Sequence, residues 1–517
     1  MDTFARDNLP PREQWPKLLE LDYPEQLNAA SELLSGPWAD RPCILGDDET
    51  WTFAELRSRA EAIARVLVDD MGLIPGNRVL LHGYNDPQLI ASWFGVLLAG
   101  GVAVATMPML RAGELVKVIS RAQVSHGLVD ARLAGEVAAA AEREPVLRSV
   151  LTFDQLAERA EAGAGGFEPV ATSRDDVALI AFTSGTTGVP KGCVHFHRDV
   201  LAICDTFARE ILDPSPDDVF TGTAPLAFTF GLGVLVLFPM RFGASLAPIA
   251  APGMDRVVET VRRHGVTTLA TAPTTYRALL RDAPDLPSLR TCISAGEPLP
   301  AGVAQAWHER TGIRIVDGIG STEMLHIFIA ARAEDSKFGS VGTPVPGYEA
   351  MVAGPDMQPL PPGDVGRLAV RGPTGCRYLA DPRQTEYVVN GWNLTGDAFR
   401  VDEDGYFWFE ARNDDLIISS GYNISPFEVE SALLEHDAVA ECAVVAAPDE
   451  ARGHMVKALV VLPEGVGGDD ALVEELQTHV KQRIAPYKYP RRVEFLDALP
   501  KTPTGKLQRS ALRAREA

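Results

Sequence analysis

The chain has 517 residues, more than one hydrophobic core usually organises, so we expect at least two domains and exclude a small binding module. Hydrophobic residues make up 46% and charged residues 23% of the sequence, a balance that excludes a disordered or fibrous protein. With 48 Lys and Arg against 70 Asp and Glu, the net charge is −22, which argues against nucleic acid as a partner.

The cysteines and the apolar runs predict where the protein resides. The six cysteines are scattered without a CxxC pair, as expected in a reducing compartment. The N-terminal residues lack the apolar stretch of a signal peptide and the acid-poor character of a transit peptide. The most apolar run, 228–240, is about half the length of a membrane span and contains two glycines and a proline. The sequence therefore predicts a cytoplasmic protein that has no membrane partner.

Helical and strand patterns alternate over much of the chain. Apolar residues three and four positions apart predict a helix over 51–70, and the next alternating segments predict strand, helix and strand at 78–83, 89–101 and 102–107. The alternation returns at 265–273, where a β-branched run leads into a helical pattern, and again at 288–300. Strands that alternate with helices predict parallel α/β sheets with crossover helices.

From residue 363 the pattern changes to short β-like pieces separated by turn residues, which predicts a small β barrel. The C-terminal part has helical patterns over 425–436 and 471–484, and strand patterns between them over 439–449 and 456–463. We place the domain boundary in the charged stretch ARNDD. The predicted fold class is α/β, with a large N-terminal domain, 1–413, and a smaller α+β domain, 414–517.

The densest chemical signal is the segment TSGTTGVPKG, which follows the apolar run VALIAF. Glycines let backbone N–H groups converge on an anion, hydroxyls add donors and Lys191 adds a charge, so the segment predicts a phosphate site. Lys191 follows a proline and precedes a glycine, unlike a Walker motif, which argues against a P-loop ATPase or kinase. A polar surface loop is the competing interpretation. The candidate residues are Thr183, Ser184, Gly185, Thr186, Thr187, Gly188 and Lys191.

Several further motifs resemble, in order, those of the adenylate-forming superfamily of acyl-CoA synthetases, peptide-synthetase adenylation domains and luciferases. They are DGIGSTE at 317–323, WNLTGD at 392–397, ARNDD at 411–415, SSGYNISPFEVE at 419–430 and PKTPTGKLQR at 500–509. The resemblance extends over nearly the whole chain. It implies that ATP, Mg²⁺ and coenzyme A bind to the protein and that the C-terminal domain is a mobile lid.

The resemblance assigns residues to the nucleotide. Glu323 corresponds to the Mg²⁺ ligand, and a carboxylate suits that ion because Mg²⁺ prefers hard oxygen ligands. Asp397 and Arg412 correspond to the pair that holds the ribose, one as acceptor and the other as donor. Alone, each would be read as a solvated carboxylate or a surface ion pair. The other nucleotide-site positions are Glu297, Asp317, Ile319 and Thr322.

Three residues receive roles in the lid. Lys506 corresponds to the lysine that reaches the carboxylate and the α-phosphate during adenylation, although a lysine near a chain end is usually solvated. Asp414 corresponds to the hinge about which the small domain turns, and Gly421 to the loop that lines the thiol channel. The sequence departs from the family pattern at Ala411, where a glycine is usual, and at Ile319, where many members have an aromatic residue.

The segments AFTFGLG and GSTEMLHIF look like those of benzoate-type CoA ligases, and the stretch around SSGYNISPFEVE looks closer still to 2-aminobenzoate-CoA ligases. Phe228 and Phe230 alternate with small residues in a short β-like segment, which predicts a flat apolar slot for an aromatic acid. Buried core Phe and a structural His are the competing interpretations. The predicted acid-binding residues are Phe228, Phe230, Ala295, Gly296, Gly320 and His326.

The sequence thus predicts an ATP-dependent aryl acid–CoA ligase that forms an aryl-adenylate and then a thioester. Lys191, Lys506 and Mg²⁺ on Glu323 would supply positive charge to the phosphates. The predicted acid is 2-aminobenzoate or benzoate. An adenylation enzyme that loads a carrier protein stays open as an alternative, and a luciferase-like oxygenase and a nucleotide sensor are disfavoured. The oligomeric state stays open between monomer and homodimer.

Overall fold

A computed structural model describes the chain apart from residues 163–165, 184–189, 251–252, 413–414, 420–421, 450–452, 502–506 and 517. Within these described residues, no helix combines the length and the apolar character needed to cross a bilayer. All six cysteines are free thiols, and five of them are buried.

The largest sheet has nine strands, six of which form a parallel centre. One further strand at one edge and two at the other run antiparallel to their neighbours. In spatial order the strands are Thr343–Pro344, Ile327–Ala330, Ile315–Gly320, Thr291–Ser294, Thr268–Thr271, Val219–Gly222, Ser245–Leu246, Pro42–Leu45 and Thr50–Thr52. The predicted parallel α/β architecture is confirmed in this sheet.

A second sheet has six strands, of which five are parallel and the last is antiparallel. In spatial order they are Ser149–Thr152, His126–Val129, Arg78–His82, Val102–Thr106, Val177–Thr183 and Lys191–Phe196. The antiparallel pair at the edge carries the predicted phosphate segment, because the segment connects the last two strands.

The main hydrophobic core lies between these two sheets. Val79 and Leu81 of one strand belong to this shared core, whereas Leu80 between them belongs to a separate core on the other face. Neighbouring residues of a strand in the nine-stranded sheet also belong to different cores, because Ile293 lies in the shared core and Cys292 lies in a third cluster. Successive side chains of a strand point to opposite faces, so both sheets are covered on both sides.

Helices in the large domain cover the sheets and separate their strands along the chain. Their bounds are Phe4–Asp7, Ala29–Leu33, Phe53–Arg65, Pro87–Leu98, Ala112–Ala122, Ala134–Ala141, Phe153–Ala162, His197–Ile203, Thr229–Leu232, Phe238–Phe242, Met254–His264, Pro273–Asp282, Ala301–Thr311 and Gln384–Tyr387. Segments of wider π-helical turn continue three of the helices, over Val66–Asp70, Cys204–Leu212 and Gly233–Leu237.

The predicted small β barrel is an antiparallel half-barrel of five strands, and these are Glu349–Ala353, Gly366–Arg371, Val388–Val389, Trp392–Val401 and Phe407–Arg412. Its long central strand pairs with three of the others. One of those pairings places Asp397 opposite Arg412. The half-barrel therefore brings together two residues that the sequence predicts to bind ribose.

The smaller C-terminal domain has a two-stranded and a three-stranded sheet with three helices. The strands are Ile417–Ser419, Tyr422–Ile424, Glu441–Asp449, Gly453–Val461 and Arg492–Phe495, and the helices are Pro426–Leu434, Asp470–Arg483 and Arg509–Glu516. Val444 joins the core under the first two helices, whereas Ala443 and Val445 join the core under the last. The boundary predicted at 413/414 lies outside the described residues and stays a prediction.

Most predicted elements are confirmed, and two differ for physical reasons. The helix predicted from residue 51 begins at Phe53, because Thr52 caps it and forms a reciprocal capping box with Glu55. Phe228 and Phe230 do not alternate on a β-like segment, since Phe228 is the N-cap of a short helix and Phe230 lies within it. That prediction is wrong because so short an apolar run shows no period that separates helix from strand.

A buried ion pair connects the six-stranded sheet to the segment before residue 378. The Arg377 guanidinium, fully buried over the rings of Trp15 and Phe196, donates to Asp199 Oδ2 at 2.9 Å. The Phe196 backbone N–H donates to the same carboxylate. Although Asp199 is buried, the Arg377 charge and hydrogen bonds hold its pKa well below the usual range.

We predict that Asp199→Asn lowers the free energy of unfolding by about 3–5 kcal/mol, because it leaves the buried Arg377 charge unpaired. Urea unfolding monitored by tryptophan fluorescence measures the change. Asp282→Asn removes a carboxylate from an exposed pair with Arg281 and serves as the control, with an unchanged midpoint expected. Equal midpoints for the two variants would contradict the prediction.

Candidate active site

The predicted phosphate segment connects two paired strands. Thr183 ends the first strand, Lys191 begins the second, and the two residues lie opposite each other in the antiparallel ladder. Ser184, Gly185, Thr186, Thr187 and Gly188, between them, lie outside the described residues. The structure thus places the two ends of the segment at one edge of the six-stranded sheet, with the lysine at its second end.

A phenol bonds to both Lys191 and Glu323. The Lys191 ammonium lies 3.4 Å from Glu323 Oε1 and donates to Tyr378 Oη at 2.7 Å. Tyr378 Oη in turn donates to Glu323 Oε1 at 2.5 Å. Burial and the neighbouring Glu323 charge raise the pKa of the Tyr378 phenol far above its usual range, so it stays a hydrogen-bond donor. The result is a compact triad of ammonium, phenol and carboxylate.

The chemistry of Glu323 fits a hard divalent cation. Its carboxylate is almost fully buried, and both of its hydrogen bonds to described side chains fall on Oε1. Within the described ranges, no group of three or more His, Cys, Asp or Glu side chains could hold a metal ion without help. A Mg²⁺ ion here would therefore take much of its coordination from phosphate oxygens and water, as Mg²⁺ in nucleotide enzymes usually does.

Contacts with two neighbouring elements hold the loop that carries Glu323. His195, fully buried in the strand after Lys191, donates from Nε2 to the Thr322 carbonyl oxygen at 2.8 Å. Ser321 Oγ lies 3.3 Å from Tyr387 Oη on the other side. Two contacts to separate elements thus fix the backbone on either side of position 322, which includes the predicted nucleotide-site residue Thr322.

The predicted ribose pair is present. Arg412 donates to Asp397 Oδ1 at 2.8 Å, and Asp397 is 6% exposed whereas the Arg412 side chain is largely exposed. Burial raises the pKa of the Asp397 carboxyl, and the Arg412 charge opposes this effect. Gly396 immediately before Asp397 has φ +81°, a conformation that favours glycine. The pair presents one acceptor and several donors at the edge of the half-barrel.

The remaining predicted nucleotide-site residues lie in or just after strands of the nine-stranded sheet. Asp317 lies in the strand Ile315–Gly320, where burial raises its pKa to about 7 against hydrogen bonds from Ser294 and backbone N–H groups. Ile319, two residues on, packs partly against the shared core. Glu297 is half-buried and lies near Arg509 of the C-terminal domain.

His326 lies among aromatic rings. The ring centroids of Phe207, Phe230 and Phe238 are 5.3, 5.7 and 4.7 Å from that of His326. Its two nitrogens are buried and have no partner at hydrogen-bond length among the described side chains and backbone. Burial lowers the pKa of His326 to about 3, with a smaller opposing effect of the Phe230 backbone. A neutral, unpartnered imidazole beside a half-buried Phe230 is an unusual core residue, because buried polar atoms are normally paired.

The three small residues predicted to form a slot have different surroundings. A Cβ at Gly320 would lie 2.5 Å from the His326 carbonyl oxygen, so Gly320 is required for close packing of two strands. Gly296 is exposed and has φ +91°, and the neighbouring Ala295 is buried at the end of the strand Thr291–Ser294. Their contact with an acid stays a prediction.

Three predicted lid residues lie outside the described residues, and these are Asp414, Gly421 and Lys506. Sequence reasoning missed Tyr378, Tyr387 and His195. No spacing rule could connect Tyr378 with Glu323, which is 55 residues away, or with Lys191, which is 187 residues away. The structure was needed to place the phenol between them.

We predict that Gly233→Ala disturbs the acid site. An alanine Cβ at Gly233 would lie 2.4 Å from His326 Cδ2, and the surrounding Phe rings leave the imidazole little room to move. Overpacking of this kind costs about 1–3 kcal/mol of the free energy of unfolding. Thermal unfolding and kcat/KM for 2-aminobenzoate check it, with Gly113→Ala as the control at an exposed position of the helix Ala112–Ala122 where no atom lies within 4 Å of the added Cβ. Unchanged kcat/KM in Gly233→Ala would contradict the prediction.

Family models match most of the chain. The AMP-binding enzyme model matches residues 35–378, and the AMP-binding enzyme C-terminal domain model matches residues 428–506. The chain therefore belongs to the AMP-binding enzyme family, as its sequence motifs had led us to expect.

Individual relatives are similar over nearly their whole length. The benzoate–CoA ligase of Thauera aromatica is 36% identical over 512 residues, which cover 96% of this chain and 97% of the ligase. The acyl-coenzyme A synthetase ACSM3 of Mus musculus is 34% identical, and the match covers 96% of this chain and 89% of the synthetase. The solved structure of the anthranilate CoA ligase AuaEII in complex with anthranoyl-AMP matches with a TM-score of 0.92 and 32% identity. The match covers 96% of this chain and 98% of the chain in that structure.

Proposed function

We propose that the protein is an AMP-forming aryl acid–CoA ligase whose substrate is 2-aminobenzoate or benzoate. The observation that supports the proposal is that Lys191 lies 3.4 Å from Glu323 and Arg412 donates to Asp397 at 2.8 Å, while the His326 ring, three residues after Glu323, lies beside Phe230. The similarity to a benzoate–CoA ligase and to an anthranilate CoA ligase supports the same acid class.

In the first half-reaction, the carboxylate of the acid attacks the α-phosphorus of ATP and pyrophosphate leaves. Lys191 and the backbone N–H groups of the segment after Thr183 bind the phosphates, and Asp397 with Arg412 fixes the ribose. Mg²⁺ held on Glu323 would neutralise phosphate charge when it is bound. Lys506 contributes a positive charge at the reacting carboxylate and α-phosphate. The chain thus acts through positioning and charge stabilisation.

In the second half-reaction, the thiol of coenzyme A attacks the carbonyl carbon of the aryl-adenylate and AMP leaves. We propose that the domain 414–517 turns about Asp414 between the two steps, which withdraws Lys506 and brings Gly421 to the thiol channel. A few residues at a domain boundary can absorb such a rotation. The family resemblance of the motifs that contain Asp414, Gly421 and Lys506 supports this rotation.

His326 is proposed to select the acid. Its imidazole is neutral, so one nitrogen can donate to the substrate carboxylate or the other can accept from an ortho amine. One hydrogen bond between neutral groups contributes about 1 kcal/mol, or up to about 3 kcal/mol when a buried partner would otherwise stay unpaired. The preference for 2-aminobenzoate over benzoate should therefore be partial, and both acids should react.

The test is a pyrophosphate-release assay with four acids. We expect kcat/KM to be highest for 2-aminobenzoate, lower by about five- to tenfold for benzoate, and much lower for 4-hydroxycinnamate and octanoate. A preference for octanoate would assign the chain to alkyl acids and overturn the acid class while leaving adenylation intact. Pantetheinylated carrier protein, supplied in place of coenzyme A, tests the alternative acceptor. Faster thioester formation on the carrier would overturn the proposed acceptor.

A further inference from the structure

The phenol between Lys191 and Glu323 has no part in the mechanism described so far. Tyr378 Oη accepts a hydrogen bond from Lys191 Nζ at 2.7 Å and donates its only proton to Glu323 Oε1 at 2.5 Å. Both bonds involve a charged group, and such bonds are stronger than those between neutral groups. The phenol therefore uses its full donor capacity on the carboxylate and its acceptor capacity on the ammonium.

The backbone holds Tyr378 rigidly. On either side of it, the Val194 N–H donates to the Arg377 carbonyl at 2.8 Å and the Leu379 N–H donates to the Gly192 carbonyl at 2.8 Å. Tyr378 therefore forms an isolated antiparallel bridge with Cys193 of the strand that begins with Lys191.

Side chains complete the enclosure. The Tyr378 N–H donates to Gln384 Oε1 at 2.9 Å, and the Gln384 amide in turn donates to the backbone carbonyls of Gln14 and Cys376. The Tyr378 side chain is fully buried, and the ring of Tyr387 packs on it edge-on at 5.7 Å. A phenol held from so many sides has a defined position for its oxygen, which a solvent-exposed tyrosine would not have.

The position of the phenol keeps the ammonium and the carboxylate apart. Lys191 Nζ and Glu323 Oε1 are 3.4 Å apart, longer than a direct charged hydrogen bond, which is typically about 2.7–2.9 Å. Because Tyr378 bonds to both groups, neither needs the other as its partner. It also directs Oε1 of Glu323 toward the protein, and among the described residues Oε2 is left without a competing donor.

We propose that Tyr378 is a positioning residue that holds the Glu323 carboxylate ready for a divalent cation and prevents Lys191 from closing onto it. The proposal rests on the proposed function, because it assigns Glu323 to the cation that accompanies ATP. Carboxylate ligands of metal ions are commonly oriented by a hydrogen bond of this kind, and loss of such a partner typically weakens metal binding by about 10–100-fold.

The test compares Tyr378→Phe with Tyr348→Phe. Both substitutions remove one hydroxyl from a buried ring, and Tyr348 Oη has a neutral partner, Thr374 Oγ1, at 3.1 Å. The first readout is Mn²⁺ binding, followed by electron paramagnetic resonance in the presence of α,β-methylene-ATP, an analogue that cannot release pyrophosphate. This readout needs neither an acid substrate nor turnover.

We expect Tyr378→Phe to raise the Mn²⁺ dissociation constant at least about tenfold. The Mg²⁺ concentration for half-maximal pyrophosphate release should rise by a similar factor. Tyr348→Phe should stay within twofold of the native protein in both measurements. Conversion of a synthetic aryl-adenylate to the thioester should be within twofold of native in both variants, because that step follows pyrophosphate release.

Three results would overturn the inference. They are an Mn²⁺ affinity of Tyr378→Phe within twofold of native, equal weakening in the two variants, and a melting temperature of Tyr378→Phe more than about 10 °C below that of Tyr348→Phe. The last would make the phenol a folding element. Failure of the proposed function is seen separately, as a native protein that binds Mn²⁺ with the analogue yet releases no pyrophosphate with any aryl acid.

Discussion

Lys506→Ala should reduce pyrophosphate release with 2-aminobenzoate by at least about 10²-fold, the scale on which loss of one transition-state charge contact slows an enzyme. The sequence motif around Lys506 implies that this ammonium meets the carboxylate and the α-phosphate only during adenylation. Thioester formation from a synthetic aryl-adenylate should therefore stay within about twofold of the native rate. A coupled pyrophosphate assay and a direct thioester assay measure the two steps.

Lys501→Ala is the matched control. Lys501 lies in the same segment, is 44% exposed and pairs with Glu441 across the C-terminal domain. Its loss removes a positive charge five positions away and should change neither half-reaction. If Lys506→Ala slows both half-reactions equally, Lys506 does not serve adenylation alone and the two-state lid is wrong.

Acidification should unfold the protein steeply below pH 6.5. Burial lowers the pKa of His82 to about 4, and lowers those of His197 and His326 to about 3. In the unfolded chain each would titrate near its ordinary value of 6.5, so unfolding takes up protons between pH 4 and 6.5. The stability these neutral rings contribute is complete above pH 6.5 and is lost as the pH falls.

Carboxyl groups whose pKa is raised by burial oppose this trend; they are Asp86, Asp397, Glu410 and, with the largest effect in this pH range, Asp317. Burial raises the pKa of Asp317 to about 7, so the folded protein holds a proton there that the unfolded chain releases above its ordinary pKa of 3.8. Three protons taken up by histidines less one released by Asp317 leave a net uptake of two. At about 1.4 kcal/mol per proton and pH unit, the free energy of unfolding should fall by roughly 3 kcal/mol per pH unit between 6.5 and 4.5.

Urea titrations at half-unit pH intervals measure this slope. His197→Gln should lower it by about one half, because Gln keeps an acceptor for the Ala29 N–H that now donates to His197 Nδ1 but takes up no proton, so the net uptake falls from two protons to one. A native midpoint that does not change between pH 6.5 and 4.5 would show that these rings are protonated in the folded state.

Local sequence patterns predicted the alternating strands and helices, because a strand such as Arg78–His82 and a helix such as Pro87–Leu98 are set by nearby residues. The same reasoning failed at Phe228 and Phe230, where the apolar run is too short for its period to separate a helix from a strand. Motif chemistry predicted Lys191 as part of a phosphate segment, and the family resemblance assigned Glu323 to the nucleotide site. Sequence reasoning could not predict Tyr378, because a hydrogen bond across 187 residues is determined by how the sheets assemble.

The most direct test of the central claim is product analysis by mass spectrometry after incubation with ATP, Mg²⁺ and 2-aminobenzoate, with and without coenzyme A. Without coenzyme A, we expect pyrophosphate and aryl-adenylate, at most about one equivalent of which stays bound per chain. With coenzyme A, we expect the aryl-CoA thioester and AMP in equal amounts over many turnovers. Formation of ADP, or sustained pyrophosphate release with no thioester in the presence of coenzyme A, would contradict an AMP-forming aryl acid–CoA ligase.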